Sequence, residues 1–232
     1  MKGVDKGIVH ALDVEDKEKA FRIADDVKDY VQIIKISYPL VIRNGADVIK
    51  EIKQITGLPV LACFKIADIP EISRRILNET IDKGADAVTL HGFVGRKTLE
   101  ECINLANERG VGTFVVTEMS HKDADYFLQD NLTIVSERIA EVAAEIGATG
   151  IIAPATRPHR VRKFREIIGT GMKIVSPGVG AQGGSLGDAI LAGADFEIVG
   201  RSIYTADNPR EKAKEIYFNL QERLKREKAV LG

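Results

Sequence analysis

The sequence predicts an α/β protein, a (β/α)8 TIM barrel, and three observations carry that prediction. Eight short apolar runs recur along the chain, nearly continuous in Val, Ile, Leu and Ala, as in strands covered on both faces. Amphipathic helical patterns lie between them. The richest glycine loop follows the seventh run, whereas a doubly wound open sheet would place one after the first. Here the first strand ends Leu12-Asp13-Val14, without glycine.

In chain order the predicted strands are 7–14, 31–37, 58–65, 87–92, 112–118, 149–154, 172–178 and 196–202. The segment 14–30 carries Ala20, Ile23, Ala24 and Val27 at helical spacing. Helical segments at 98–110 and 136–150 carry the stop signals Gly110 and Gly147. Asn208-Pro209 opens a long final helix over 207–228. Three Gly-Ala-Asp turns, at 44–47, 83–86 and 192–195, are expected to return helices to strands. No composition break divides the chain, so residues 1–232 are expected to form one barrel domain.

Lys plus Arg total 33 and Asp plus Glu total 34, a net charge of −1. That balance argues against the clustered basic footprint of a nucleic-acid protein. Cys63 and Cys102 form no CxxC pair, and no His or acidic cluster has metal spacing, so no metal is expected. Asp5 and Lys6 interrupt a start that has no apolar leader core, and no run reaches the roughly 18 apolar residues of a membrane span. The expected setting is cytoplasmic, with no membrane partner.

In such a barrel the site lies at the C-terminal ends of the strands. Those ends offer Asp13, Lys35, Lys65 and, three residues on, Asp68. Opposite charges placed together keep one another ionised. A purely structural ring is the bland reading, but lysines ending apolar strands are unusual. The loop SPGVGAQGGS (176–185) after strand seven and Gly200-Arg201 after strand eight fit a phosphate grip, with backbone N–H groups and a forked cation on the anion. Its length and glycines also suit a lid. His91, ending strand four, reads as a packing residue, and Ser120 as a ligand hydrogen-bonding group.

With these residues in place, the chain resembles the orotidine 5'-monophosphate decarboxylase family, most of all its compact archaeal members. ALD (11–13), IKISYPL (34–40), FKIADIPE (64–71), HGF (91–93), TEMSH (117–121), APATRP (153–158), SPGVGAQGG (176–184) and VGRSIYTADNP (199–209) match family segments in order and spacing. The resemblance implies cofactor-free loss of CO2 from C6 of the orotate ring, OMP giving UMP, in a homodimer with sites at the subunit interface. It implies that Lys35 begins a Lys-Asp-Lys-Asp array, that Lys65 stabilises and protonates C6, and that Asp68 reaches across from the partner. Asp13 and Lys35 would hold the ribose hydroxyls, with Ile69 and Ile72 nearby across the interface. Ser120 would contact the pyrimidine and Gln182 would link ring to phosphate. Pro177, Gly178, Val179, Gly180, Ala181, Gln182, Gly200 and Arg201 would bind the phosphate.

The chain departs from the family pattern at position 63, where Cys63 stands in place of the first aspartate of D-x-K-x-x-D. Cysteine is shorter and ordinarily neutral, so impaired decarboxylation with intact folding and binding is expected. At Ile72 the family usually has threonine. Two other readings stay open. One is a Mg2+-dependent sugar-phosphate decarboxylase or aldolase of the same superfamily. The other is a non-catalytic nucleotide-binding protein, which Cys63 favours. Another phosphate-binding barrel would explain the two loops but not Lys35, Lys65 and Asp68 together.

Overall fold

Eight parallel strands close into a barrel in the order β1 to β8, each hydrogen-bonded to the next and β8 to β1. The computed structural model describes residues 6–124, 126 and 131–231. Asp5 of the charged N-terminal stretch lies outside the described residues. The strands are β1 (Gly7–Ala11), β2 (Ile33–Ile36), β3 (Val60–Ile66), β4 (Ala87–His91), β5 (Gly112–Val116), β6 (Gly150–Ile152), β7 (Lys173–Pro177) and β8 (Phe196–Val199). All eight predicted strands are present, most of them shorter than expected because their last residues leave the ladder to form the mouth.

The outer layer comprises α1 (Lys17–Val27), α2 (Tyr38–Asn44), α3 (Val48–Thr56), α4 (Pro70–Asp82), α5 (Arg96–Glu108), α6 (Leu132–Ile146), α7 (Pro158–Ile168), α8 (Asp188–Leu191), α9 (Arg201–Tyr204) and α10 (Pro209–Leu231). Gly147 ends α6 in the left-handed conformation its sequence signalled. Asn208 opens α10, its side chain accepting the Glu211 N–H at 3.1 Å.

Side chains alternate between two cores. Val9, Ala11, Ile33, Leu61, Ala87, Phe114, Val116, Ile152, Val175, Phe196 and Ile198 fill the barrel. Ile8, Ile34, Ala62, Val88, Val115, Ile151, Ile174 and Val199 face the helices. Phe114 is accommodated because Gly150 lies opposite: a Cβ there would sit 2.6 Å from the ring.

The Gly-Ala-Asp turns have a physical reason. Asp86 accepts the first amide of β3, Val60 N–H, at 2.9 Å, and Asp195 accepts Ile174 N–H of β7 at 2.8 Å. Each carboxylate ties the entry of its own strand to the neighbouring one. The turn at 44–47 does not return to a strand, contrary to expectation. It joins α2 to α3, and its Asp47 pairs with Lys83 at the surface instead. The β2–β3 crossover therefore contains two short helices, α2 and α3.

Candidate active site

Inward alternation on β1, β2 and β3 carries Asp13, Lys35, Cys63 and Lys65 into one cavity. Ala11 pairs with Lys35, and Lys35 with Leu61, so the charged ends emerge at neighbouring heights. Lys35 is 8% exposed and donates to both Asp13 oxygens, at 2.8 and 3.0 Å. Ser37 donates to the same carboxylate. Burial would raise the Asp13 carboxyl. The Lys35 charge and the Lys35 and Ser37 hydrogen bonds outweigh it and hold the group below the usual aspartate range.

Lys65 is the one non-glycine among the described residues with positive φ, at 46°. It lies in a bulge. Ala62 pairs with Val88 and Ile66 with Leu90, so four residue steps on β3 span two on β4. The Lys65 amide donates to Thr89 Oγ1 at 2.8 Å, and Lys65 Nζ lies 3.4 Å from Cys63 Sγ. Cys63 is 8% exposed, on the cavity wall. His91, at the end of β4, accepts Phe93 N–H and packs on the Phe93 ring. Burial, then the Lys65 charge, lowers its imidazole below the ordinary histidine value. It does not line the cavity.

The loop after β7 is folded on itself. Gly184 N–H bonds Gly178 O at 3.0 Å, and Gly180 N–H bonds Gly184 O at 2.8 Å. Gly178, at φ 113°, sits between Ser120 and Thr156, where a Cβ would meet Thr156 Cγ2 at 3.0 Å and Ser120 Cβ at 3.3 Å. Beyond the loop, buried Glu197 of β8 accepts the amides of Gly187, Ala189 and Ile190, anchoring its return to the barrel. Burial pushes the Glu197 carboxyl up, and those three amides oppose the shift. Pro177, Gly178, Val179, Ala181 and Gln182 line the cavity with Ser120, Gly200 and Arg201. Gly180 belongs to the loop but does not line the cavity. Arg201 is exposed and, among the described residues, forms no ion pair.

The structure does not bring every expected residue to this cavity. Asp68 and Ile69 are exposed and Ile72 is half-buried, and none of the three lines it. Asp68 caps its own loop, its carboxylate accepting Ile69 N–H at 2.7 Å. Sequence reasoning also missed Glu118. This residue is 2% exposed and lines the cavity floor. It accepts from Ser136 Oγ and Arg160 Nε, each at 2.8 Å, while Arg157 Nη2 lies 3.1 Å away and donates to Met119 O. Glu118 stands in TEMSH and Arg157 in APATRP, but their pairing across strands leaves no local signal. Tyr204 and the apolar floor of Val116, Ile152 and Ile198 were missed as well.

The chain as a whole has named relatives and solved counterparts. A chain from Methanococcoides burtonii named orotidine 5'-phosphate decarboxylase is 51% identical over 209 residues, 90% of this chain and 94% of that one. The crystal structure of orotidine 5'-monophosphate decarboxylase from Methanocaldococcus jannaschii, complexed with the inhibitor BMP, superposes with a TM-score of 0.86 at 39% identity, covering 93% and 99% of the two chains. That of the Pyrococcus horikoshii enzyme gives 0.83 at 44% identity, covering 92% and 99%. A family model spanning residues 6–216, from the first barrel strand into the final helix, matches as well. With barrel, mouth and strand-seven loop all inside that span, the chain belongs to the orotidine 5'-phosphate decarboxylase / HUMPS family.

Proposed function

We propose that the chain is a cofactor-free orotidine 5'-monophosphate decarboxylase whose turnover is held low by Cys63, standing where the family's aspartate is expected. The observation that carries this reading is the placement of Lys65 Nζ against Cys63 in a cavity also lined by Gly178, Gln182 and Arg201. The C6–carboxylate bond breaks, its electron pair stays on C6, and the Lys65 ammonium stabilises that pair and delivers the proton. A cation fixed where negative charge develops is electrostatic catalysis by preorganisation. The strand-seven loop and Arg201 take the phosphate, Ser120 and Gln182 the pyrimidine, and Asp13 with Lys35 the ribose. Binding energy from the phosphate, remote from C6, then serves the reacting end.

Tyr38, Ile42, Ile69 and Phe93 are exposed apolar residues on the connections after β2, β3 and β4. A patch of that kind supports a homodimer through this edge, in which Asp68 would complete the partner's site. Among the described residues no helix is long and apolar enough to cross a membrane, which fits a cytoplasmic setting. Cys63 also favours a second reading, a nucleotide-binding protein without turnover.

The test is conversion of OMP to UMP by this chain and by its Cys63→Asp variant, with UMP affinity measured on both. Restoring the carboxylate is expected to raise kcat about a hundredfold or more, with UMP affinity preserved. Equal turnover in the two proteins would refute the role given to Cys63. UMP binding with no turnover in either would establish the second reading.

A further inference from the structure

We infer that Thr89 is the positioning residue that holds Lys65 in its active conformation: its hydroxyl takes the place of a missing ladder partner and keeps the β3 bulge closed. Lysine is a poor occupant of φ 46°, because its Cβ crowds the following carbonyl, and such strain persists only where the surroundings enforce it. Two extra residues on β3 leave the Lys65 amide without a main-chain acceptor on β4. Thr89 Oγ1 supplies that acceptor at 2.8 Å. Thr89 is fully buried and shares the inward face of β4 with Ala87 below it and His91 above, so no solvent can substitute for it. The Lys65 side chain reaches back toward Cys63, to 3.4 Å, whereas residues two apart on a regular strand are spaced about 6.6 Å along it. Thr89 itself does not line the cavity, so it acts through Lys65 and not on a ligand.

The kinetic half of the test rests on the decarboxylase reading, and the chemical half does not. In the Cys63→Asp protein, Thr89→Val keeps the shape and removes the acceptor. It is expected to lower kcat about tenfold or more while KM for OMP and UMP affinity stay within about twofold, because the lysine is displaced and the binding groups are not. Thr89→Ser keeps the acceptor and is expected to recover most of the rate. In the chain with its own cysteine, Cys63 reports on Lys65 directly, since Lys65 Nζ stands 3.4 Å from its sulfur. Alkylation by iodoacetamide at neutral pH is expected to slow about threefold or more in Thr89→Val and in Lys65→Met, but not in Thr89→Ser.

Slower alkylation with no turnover in any protein would support the role of Thr89 while removing the decarboxylase reading. Unchanged alkylation in Thr89→Val would overturn the inference. So would Thr89→Ser losing as much as Thr89→Val, since the hydroxyl would then be irrelevant. If Thr89→Val does not fold, Thr89→Ala, which adds no bulk, carries the same readouts.

Discussion

Lys35 donates to both carboxylate oxygens of Asp13, and the two residues line the mouth of the barrel together. The pairing fixes the first lysine before any ligand arrives. Asp13→Asn would leave a nearly buried ammonium with a neutral partner, at a cost of about 1 to 2 kcal/mol in urea unfolding at pH 7. The Asp13 carboxyl lies below its ordinary value, so its contribution is present above about pH 4. It is lost as pH falls through the folded-state value, because the unfolded chain takes up the proton first. The stability gap between parent and variant should therefore narrow below pH 4. A gap that stayed constant on acidification would contradict the pairing.

His10 predicts a second, higher acid transition. Its ring is fully buried, with Nδ1 3.1 Å from Val199 O, so that nitrogen carries the proton and donates. Burial lowers the imidazole to about 4. The unfolded chain binds a proton near pH 6.5 and the folded chain does not, so stability declines from about pH 6.5 down to about 4, by about 3 kcal/mol in all. His10→Gln should flatten the unfolding free energy across that window.

Glu118 serves two arginines at once. Glu118→Gln removes the charge that compensates Arg160 and Arg157, and about 3 kcal/mol of stability should go with it. Arg157 also holds the Met119 carbonyl, next to Ser120, so UMP affinity should fall with stability. Thermal melting and calorimetry on one preparation would test both effects. A loss of stability with unchanged UMP affinity would confine Glu118 to a structural part.

Gly178 sits where the loop, Ser120 and Thr156 meet. Alanine there must adopt φ 113° and meet Thr156 Cγ2 at 3.0 Å, a strain of about 1 to 3 kcal/mol. Gly178→Ala should weaken UMP about tenfold or more and weaken uridine, which lacks the phosphate, much less. Equal losses for the two ligands would remove the loop from phosphate binding.

Much of the site was legible because barrel chemistry is local to strand ends. Asp13, Lys35 and Lys65 each follow an apolar run, and the glycine loop follows the seventh, so position along the chain gave position in the mouth. What escaped depends on partners far apart in sequence. Thr89 lies 24 residues from the amide it accepts, and Arg160 lies 42 from Glu118. Neither pairing leaves a spacing that one strand could show. The paired helices α2 and α3 were hidden for a related reason: the Gly-Ala-Asp turn between them is the same motif that elsewhere enters a strand. Its aspartate differs only in what it meets.

The bulge in β3 has a consequence for which changes in length this strand can bear. Its surplus over β4 is two residues, an even number. An even surplus preserves the parity of a pleated chain, so Phe64 and Ile66 still pack against the helices while Cys63 and Lys65 remain inside the barrel. A surplus of one would turn the lysine out among the helices and bring an apolar side chain into the mouth. Deleting any single residue between 62 and 66 should therefore abolish the site more completely than deleting two, although the two-residue deletion removes more of the chain.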